Sequence, residues 1–216
     1  MSWIEHALLR EAGVPHGFGT RTSPTRADVR RPVQVHGDAV VSADGPHALG
    51  EADASVATRP GLAVGVVTAD CVPVLLAAGP RAVAAVHAGW RGLARGVIPR
   101  ALDALARSAP GAGLVAAIGP AIGPCCYEVD APVIDAMRER FGAAAEAALG
   151  PARAGHALLD LAALAREALL GAGVPAASIG QVPGACTRCD AARFHSYRRD
   201  GPRAGRLLSW IEVPAR

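Results

Sequence analysis

The stretch VVTADCVPVLLAAGPRAVAAVHAGWRG, residues 66–92, decides how the chain is read. It contains two uncharged apolar runs, VPVLLAA and AVAAVH. Short runs of this kind, bounded by turn residues, read as strands buried on both faces. Cys71 stands at the mouth of the first run and His87 closes the second. Upstream, PVQVHGDAVV (residues 32–41) repeats the device with His36 beside a turn at Gly37. Pro73 implies a break or an edge position at residues 71–73, because proline cannot donate to a strand ladder.

Outward from this stretch, strands and helices alternate irregularly. Residues 2–11 fit either a short strand or a helix, and residues 16–32 read as loop. PVQVHGDAVVSA reads as a strand, residues 48–60 as a polar segment, and LAVGVVTAD as a further strand. GWRGLARGVIPRALDALARSA reads as one helix with Leu93, Val97, Ala101, Leu102 and Leu105 on its apolar face. GLVAAIGP reads as strand then turn, and GPAIGPCCYEV as a tight loop. Helices are expected over residues 131–149, with Asp130 as N-cap, and over residues 160–171, with Leu158, Leu161, Leu164, Ala165 and Leu169 on one side. SIGQV and RLLSWIEV read as strands separated by a loop. With no linker and no repeat, the expectation is one α/β (α+β) domain over residues 1–216, with mixed β-sheets sandwiched by helices.

Composition narrows the function classes. At 216 residues and 51% hydrophobic, the chain can bury a substantial core. No apolar run approaches the ~18 residues a membrane span requires. The N-terminus lacks a basic start followed by an apolar block, so a cytoplasmic location is expected. All 22 basic residues are arginine, scattered rather than clustered, and the net charge is +3. Nucleic acid is therefore not an expected partner. Five cysteines in a reducing compartment argue for metal binding or nucleophilic chemistry rather than a disulfide framework.

His36, Cys71 and His87 form a Cys/His/His set, the ligand count of a catalytic zinc that keeps its fourth position open. Asp70 beside Cys71 reads as an acceptor for a ligand histidine or as a base on water. The alternative from the local pattern is a small buried Cys71 with both histidines ending strands. Among the other cysteines, CTRC (residues 186–189) has a two-residue gap suited to zinc. The adjacent Cys125–Cys126 pair does not supply the second half of a zinc ribbon. The spacing thus argues against a four-thiolate site.

QVHG, TADCVPVLL, AVHAGWRG, GPAIGPCCYEV and FHSYRRDG followed by AGR occur here in that order, across residues 32–213. The set resembles the laccase-domain family, also called the polyphenol oxidase or purine nucleoside phosphorylase family. The resemblance implies a mononuclear metal centre at His36, Cys71 and His87, occupied by zinc, with copper accepted by the same donors. It implies phosphorolysis of adenosine, inosine and 5′-methylthioadenosine, with purine nucleoside and phosphate as partners, and deamination of adenosine. Seven histidines in all leave too few for the trinuclear cluster of a multicopper oxidase. The resemblance places GPCCYEV near the substrate pocket, so that Cys125, Cys126 and Tyr127 either line the cleft or serve packing. Arg21, Arg91, Arg198 and Arg206 are the candidates for holding phosphate, since guanidinium forks match its oxygens. VPHGFGTR resembles the family's entry motif, and the segment around residues 22–33 is shorter than the family pattern. Two other readings stay open: an amidohydrolase editing peptidoglycan precursors such as UDP-muramoyl-serine, and a non-catalytic metal-binding protein.

Overall fold

Val72–Ala78 and Ala82–Ala88 pair antiparallel along their whole length, from Val72 opposite Ala88 to Ala78 opposite Ala82. This hairpin is the centre of the computed structural model, which describes residues 3–215. Its residues divide by parity, as a pleated strand requires. Val72, Val74, Leu76 and Ala78, with Ala82, Ala84, Val86 and Ala88, face one core. Leu75 and Ala77, with Val83 and Ala85, face another. Both runs are apolar throughout because both faces are covered.

The hairpin lies inside a six-stranded mixed sheet. The order across it is Ile179–Gln181, Leu114–Ile118, Val72–Ala78, Ala82–Ala88, Ala54–Ala57 and Val40–Ser42. The outermost pair at each end is parallel and the interior pairs are antiparallel. Helices Trp90–Arg95, Val97–Ser108, Ala131–Phe141, Ala143–Ala148 and Leu161–Gly171 contribute to the first core. On the other face lies a three-stranded sheet, His16–Phe18, Leu207–Glu212 and Ala63–Thr68, together with the short helix Ala7–Glu11. A third small sheet joins Glu128–Asp130, His156–Leu159 and Leu149–Pro151. The chain is one mixed α/β domain whose sheets are flanked by helices.

The helix Val97–Ser108 buries Val97, Ile98, Ala101, Leu102 and Leu105. Each large side chain among them stabilises the fold by about 1.5–3 kcal/mol. The single helix expected here is two, because Gly96 turns left-handed at φ 86° between them. Gly142 likewise divides the helix expected over 131–149, and Asp130 occupies the N-cap position without a side-chain cap bond. Asp160 does cap its helix, accepting from the Ala163 N–H at 2.9 Å.

Several other expectations change. Pro73 does not break the sheet: it is the second residue of a central strand, where its missing donor is tolerated, and its carbonyl accepts the Gly119 N–H at 2.9 Å. Residues 16–18 are strand rather than loop. The segment read as polar contains the fully buried strand Ala54–Ala57. The strand expected around His36 is limited to Val40–Ser42, and His36 itself lies in a loop. Residues 197–200, read as loop, form a short helix. The loop around residues 22–33 packs Val29 against Ala63 and Trp210, and Arg26 stands 4.0 Å from the Trp210 ring.

Candidate metal centre

The hairpin register sets Cys71 and His87 side by side. Val72 pairs with Ala88 and Pro73 with His87, so the residue entering the first strand meets the end of the second. His36 arrives from a separate loop. That loop packs on the helix following the hairpin at Gly92, where a Cβ would come within 2.9 Å of the Gly37 carbonyl. The His36 and His87 rings meet edge to face at 4.8 Å. One donor atom from each of His36, Cys71 and His87 lies within 4.8 Å of the other two. His87 is buried, Cys71 half-buried and His36 exposed, which puts the cluster at the solvent end of the sheet. Gly89 closes its floor: a Cβ there would sit 3.2 Å from both Cys71 Sγ and His36 Cδ2.

The organising group is Asp53, fully buried at the start of the strand paired with His87. Its Oδ1 accepts from His87 Nδ1 at 2.7 Å and from the His36 N–H at 3.0 Å. Its Oδ2 accepts from the N–H groups of Gly37 at 2.6 Å and Val35 at 3.2 Å. Burial pushes this carboxyl up, but the bonds from His87 and the backbone hold it below the usual carboxylate range. With Nδ1 committed to Asp53, His87 presents Nε2 to the cluster. Asp53 had no sequence signal beyond its place in a polar segment.

Among the described residues two non-glycine residues carry positive φ, His36 at 58° and Asp70 at 92°. Such conformations cost about 1–3 kcal/mol and persist where surrounding bonds over-determine them. Asp53 does this for His36. Asp70 is held by three donors: Thr187 Oγ1 at 2.6 Å, Ser196 Oγ at 3.1 Å and the Arg198 N–H at 2.7 Å. The role expected of Asp70, acceptor for a ligand histidine, therefore belongs to Asp53. The Asp70 carboxylate instead ties the 187–198 segment to the Cys71 turn.

Burial raises the Cys71 thiol, but hydrogen bonds to His36 and His87 outweigh it and bring the thiol down to about 7. Burial also works to lower His87, yet its bonds to Asp53 and Cys71 raise it to about 9. Before a metal arrives the pair thus favours thiolate beside imidazolium. A divalent ion held by these residues would take the place of that proton. Two nitrogens and one sulfur, converging with one ring locked from behind, fit a zinc- or copper-class ion.

Tyr127 borders the centre. Burial, then the nearby Cys71 charge, push its phenol up to about 12. The Arg198 guanidinium lies 5.2 Å from the Tyr127 ring and donates to the Glu128 carbonyl at 2.8 Å. Arg91 lies over Trp90 at 4.5 Å, its charge acting on the same phenol. Arg21 lies elsewhere, bordering a depression of about 300 Å³ with Arg206 and His195. The Cys125 sulfur faces Cys126, Cys186 and Cys189. A cavity of about 400 Å³ opens beside those cysteines rather than over His36 and His87.

The sequence profile described as multi-copper polyphenol oxidoreductase laccase matches residues 20–214. The chain belongs to that family. Among its relatives, a Pseudomonas aeruginosa protein named purine nucleoside phosphorylase is 45% identical over 183 residues, covering 83% of this chain and 72% of its own length. A protein of an unknown prokaryotic organism, named adenosine deaminase RL5, is 36% identical over 166 residues, covering 76% of this chain and 63% of its own length. The crystal structure of YlmD from Geobacillus stearothermophilus superposes with a TM-score of 0.84 at 27% identity, covering 99% of this chain and 97% of that one. The family relatives thus carry enzyme names. No helix among the described residues is long and apolar enough to cross a membrane.

Proposed function

We propose that this chain acts on purine nucleosides at a mononuclear metal centre held by His36, Cys71 and His87. Adenosine, inosine and 5′-methylthioadenosine are the substrates for phosphorolysis, and adenosine is also deaminated. The observation that carries the reading is the convergence of the three donors, with His87 locked by Asp53 at 2.7 Å. The relatives named purine nucleoside phosphorylase and adenosine deaminase support it. A divalent ion held there supplies Lewis acidity.

The chain's own side chains perform the rest. In phosphorolysis the bond between ribose C1′ and the base nitrogen breaks, its electron pair leaving with the purine. A phosphate oxygen bonds C1′, and the departing base takes up a proton. In deamination a water oxygen bonds purine C6 and ammonia leaves. Tyr127 keeps its proton across neutral pH, so it can donate a hydrogen bond to the base or to a leaving group. Arg198 and Arg91 bring cationic forks to the same mouth, where phosphate needs them. Asp70 fixes the segment that carries Arg198.

The test is incubation of the purified, metal-loaded protein with each nucleoside, with and without phosphate. Free base and ribose 1-phosphate (5-methylthioribose 1-phosphate from 5′-methylthioadenosine), or inosine and ammonia from adenosine, are expected, and His87→Ala should abolish both. Intact nucleosides from protein carrying a metal at these three residues would overturn the reading. Turnover of UDP-muramoyl-serine in a parallel arm would point to the amidohydrolase alternative.

A further inference from the structure

The four cysteines not used by the His36–Cys71–His87 centre come together at a second place. Cys126 Sγ lies 3.2 Å from Cys189 Sγ, and Cys125 Sγ lies 3.6 Å from each of Cys126, Cys186 and Cys189. All four sulfurs fall within 4.8 Å of one another. A tetrahedral zinc with bonds of ~2.3 Å sets its sulfurs about 3.8 Å apart, close to this spacing. All four are free thiols.

Core packing does not explain the cluster. Cys125 and Cys189 are exposed, and Cys126 and Cys186 only half-buried. Two donors reach its sulfurs. Cys186 Sγ accepts the Gly123 N–H at 3.3 Å, and the Arg188 guanidinium donates to Cys126 Sγ at 3.4 Å. The cluster packs closely on Gly123, where a Cβ would stand 3.3 Å from Cys186 Cβ and 3.4 Å from Cys125 Sγ. A tight turn makes the adjacent pair usable: the N–H groups of Cys126 and Tyr127 both bond the Gly123 carbonyl. The sequence-spacing argument against a four-thiolate site fails for this reason.

We infer that Cys125, Cys126, Cys186 and Cys189 bind one zinc-class ion as a closed four-sulfur site that clamps the Gly123–Tyr127 turn to the Cys186–Cys189 turn. Binding forms four metal–sulfur bonds and releases the thiol protons to solvent. The clamp has a destination. Tyr127 directly follows Cys126, and Thr187, between the clamped cysteines, donates to Asp70 next to Cys71. An ion here would hold both walls of the first centre without touching its reactants.

The test counts zinc per chain in protein purified anaerobically. Wild type should carry two. A His36→Ala/His87→Ala double variant should keep one, and X-ray absorption should give that ion four sulfurs at about 2.3 Å. A Cys186→Ser/Cys189→Ser double variant should keep one, with nitrogen in its shell. A single zinc in wild type that is lost with the histidines overturns the inference. So does a disulfide among these cysteines in the anaerobic protein. If the cysteine variant fails to fold, the wild-type count and the histidine variant still decide.

Discussion

Replacing Asp53 with asparagine tests how the first centre is built. Asp53 uses two oxygens for four donors: Oδ1 serves His87 and His36, and Oδ2 serves Gly37 and Val35. Asparagine keeps one oxygen and points an NH₂ at the other pair of donors. Two charge-assisted bonds are lost at about 1.5 kcal/mol each, roughly 3 kcal/mol of stability. The metal-free variant should therefore unfold roughly 1–3 M earlier in urea, at an unchanged slope. Separately, His87 loses the partner that orients it, and zinc affinity should fall about 10–100-fold in competition with a chelator. A variant with wild-type urea midpoint and wild-type zinc affinity would refute the claim that Asp53 organises the site.

Gly89→Ala adds a Cβ 3.2 Å from Cys71 Sγ and His36 Cδ2 at an ordinary backbone φ of −74°. Zinc affinity should drop while the circular dichroism spectrum is unchanged. Tyr127→Phe should lower kcat/KM on adenosine about 10-fold, the worth of one hydrogen bond to a charged or developing-charge partner, without changing metal content. Asp44 accepts from the N–H and Oγ1 of Thr58 and from the Arg59 N–H. Burial opposes its ionisation, but these bonds win and hold it below its unfolded value. Its contribution is therefore present above the unfolded pKa and lost as pH falls through the folded one. Asp44→Asn should cost about 1–2 kcal/mol at neutral pH and flatten the acid limb of a stability–pH curve.

The sequence carried the central hairpin because seven-residue runs without charge have only one place to go, between two covering layers. The three candidate ligands came from the family resemblance; the hairpin explains why Cys71 stands beside His87, while His36 joins them from a separate loop that no strand pattern announces. The strand Ala54–Ala57 was not legible: four small residues after Glu51 and Asp53 look solvated until pairing with Ala82–Ala88 buries them. Asp53 was missed with it, since a fully buried carboxylate reads like a surface one until its donors are known. Adjacency to Cys71 suggested that Asp70 would accept from a ligand histidine or act as a base on water. A φ of 92° instead turns its carboxylate toward residues more than a hundred positions away. Gly96 and Gly142 divided two helices whose apolar periodicity continues through the break.

The account turns on His36, Cys71 and His87 sharing one ion. Anomalous diffraction from crystals of the zinc-loaded chain, collected on both sides of the zinc absorption edge, addresses this directly. The account predicts a peak about 2.0–2.3 Å from Cys71 Sγ and from one nitrogen each of His36 and His87. A map with no peak among those three residues, at full zinc occupancy elsewhere on the chain, would contradict it.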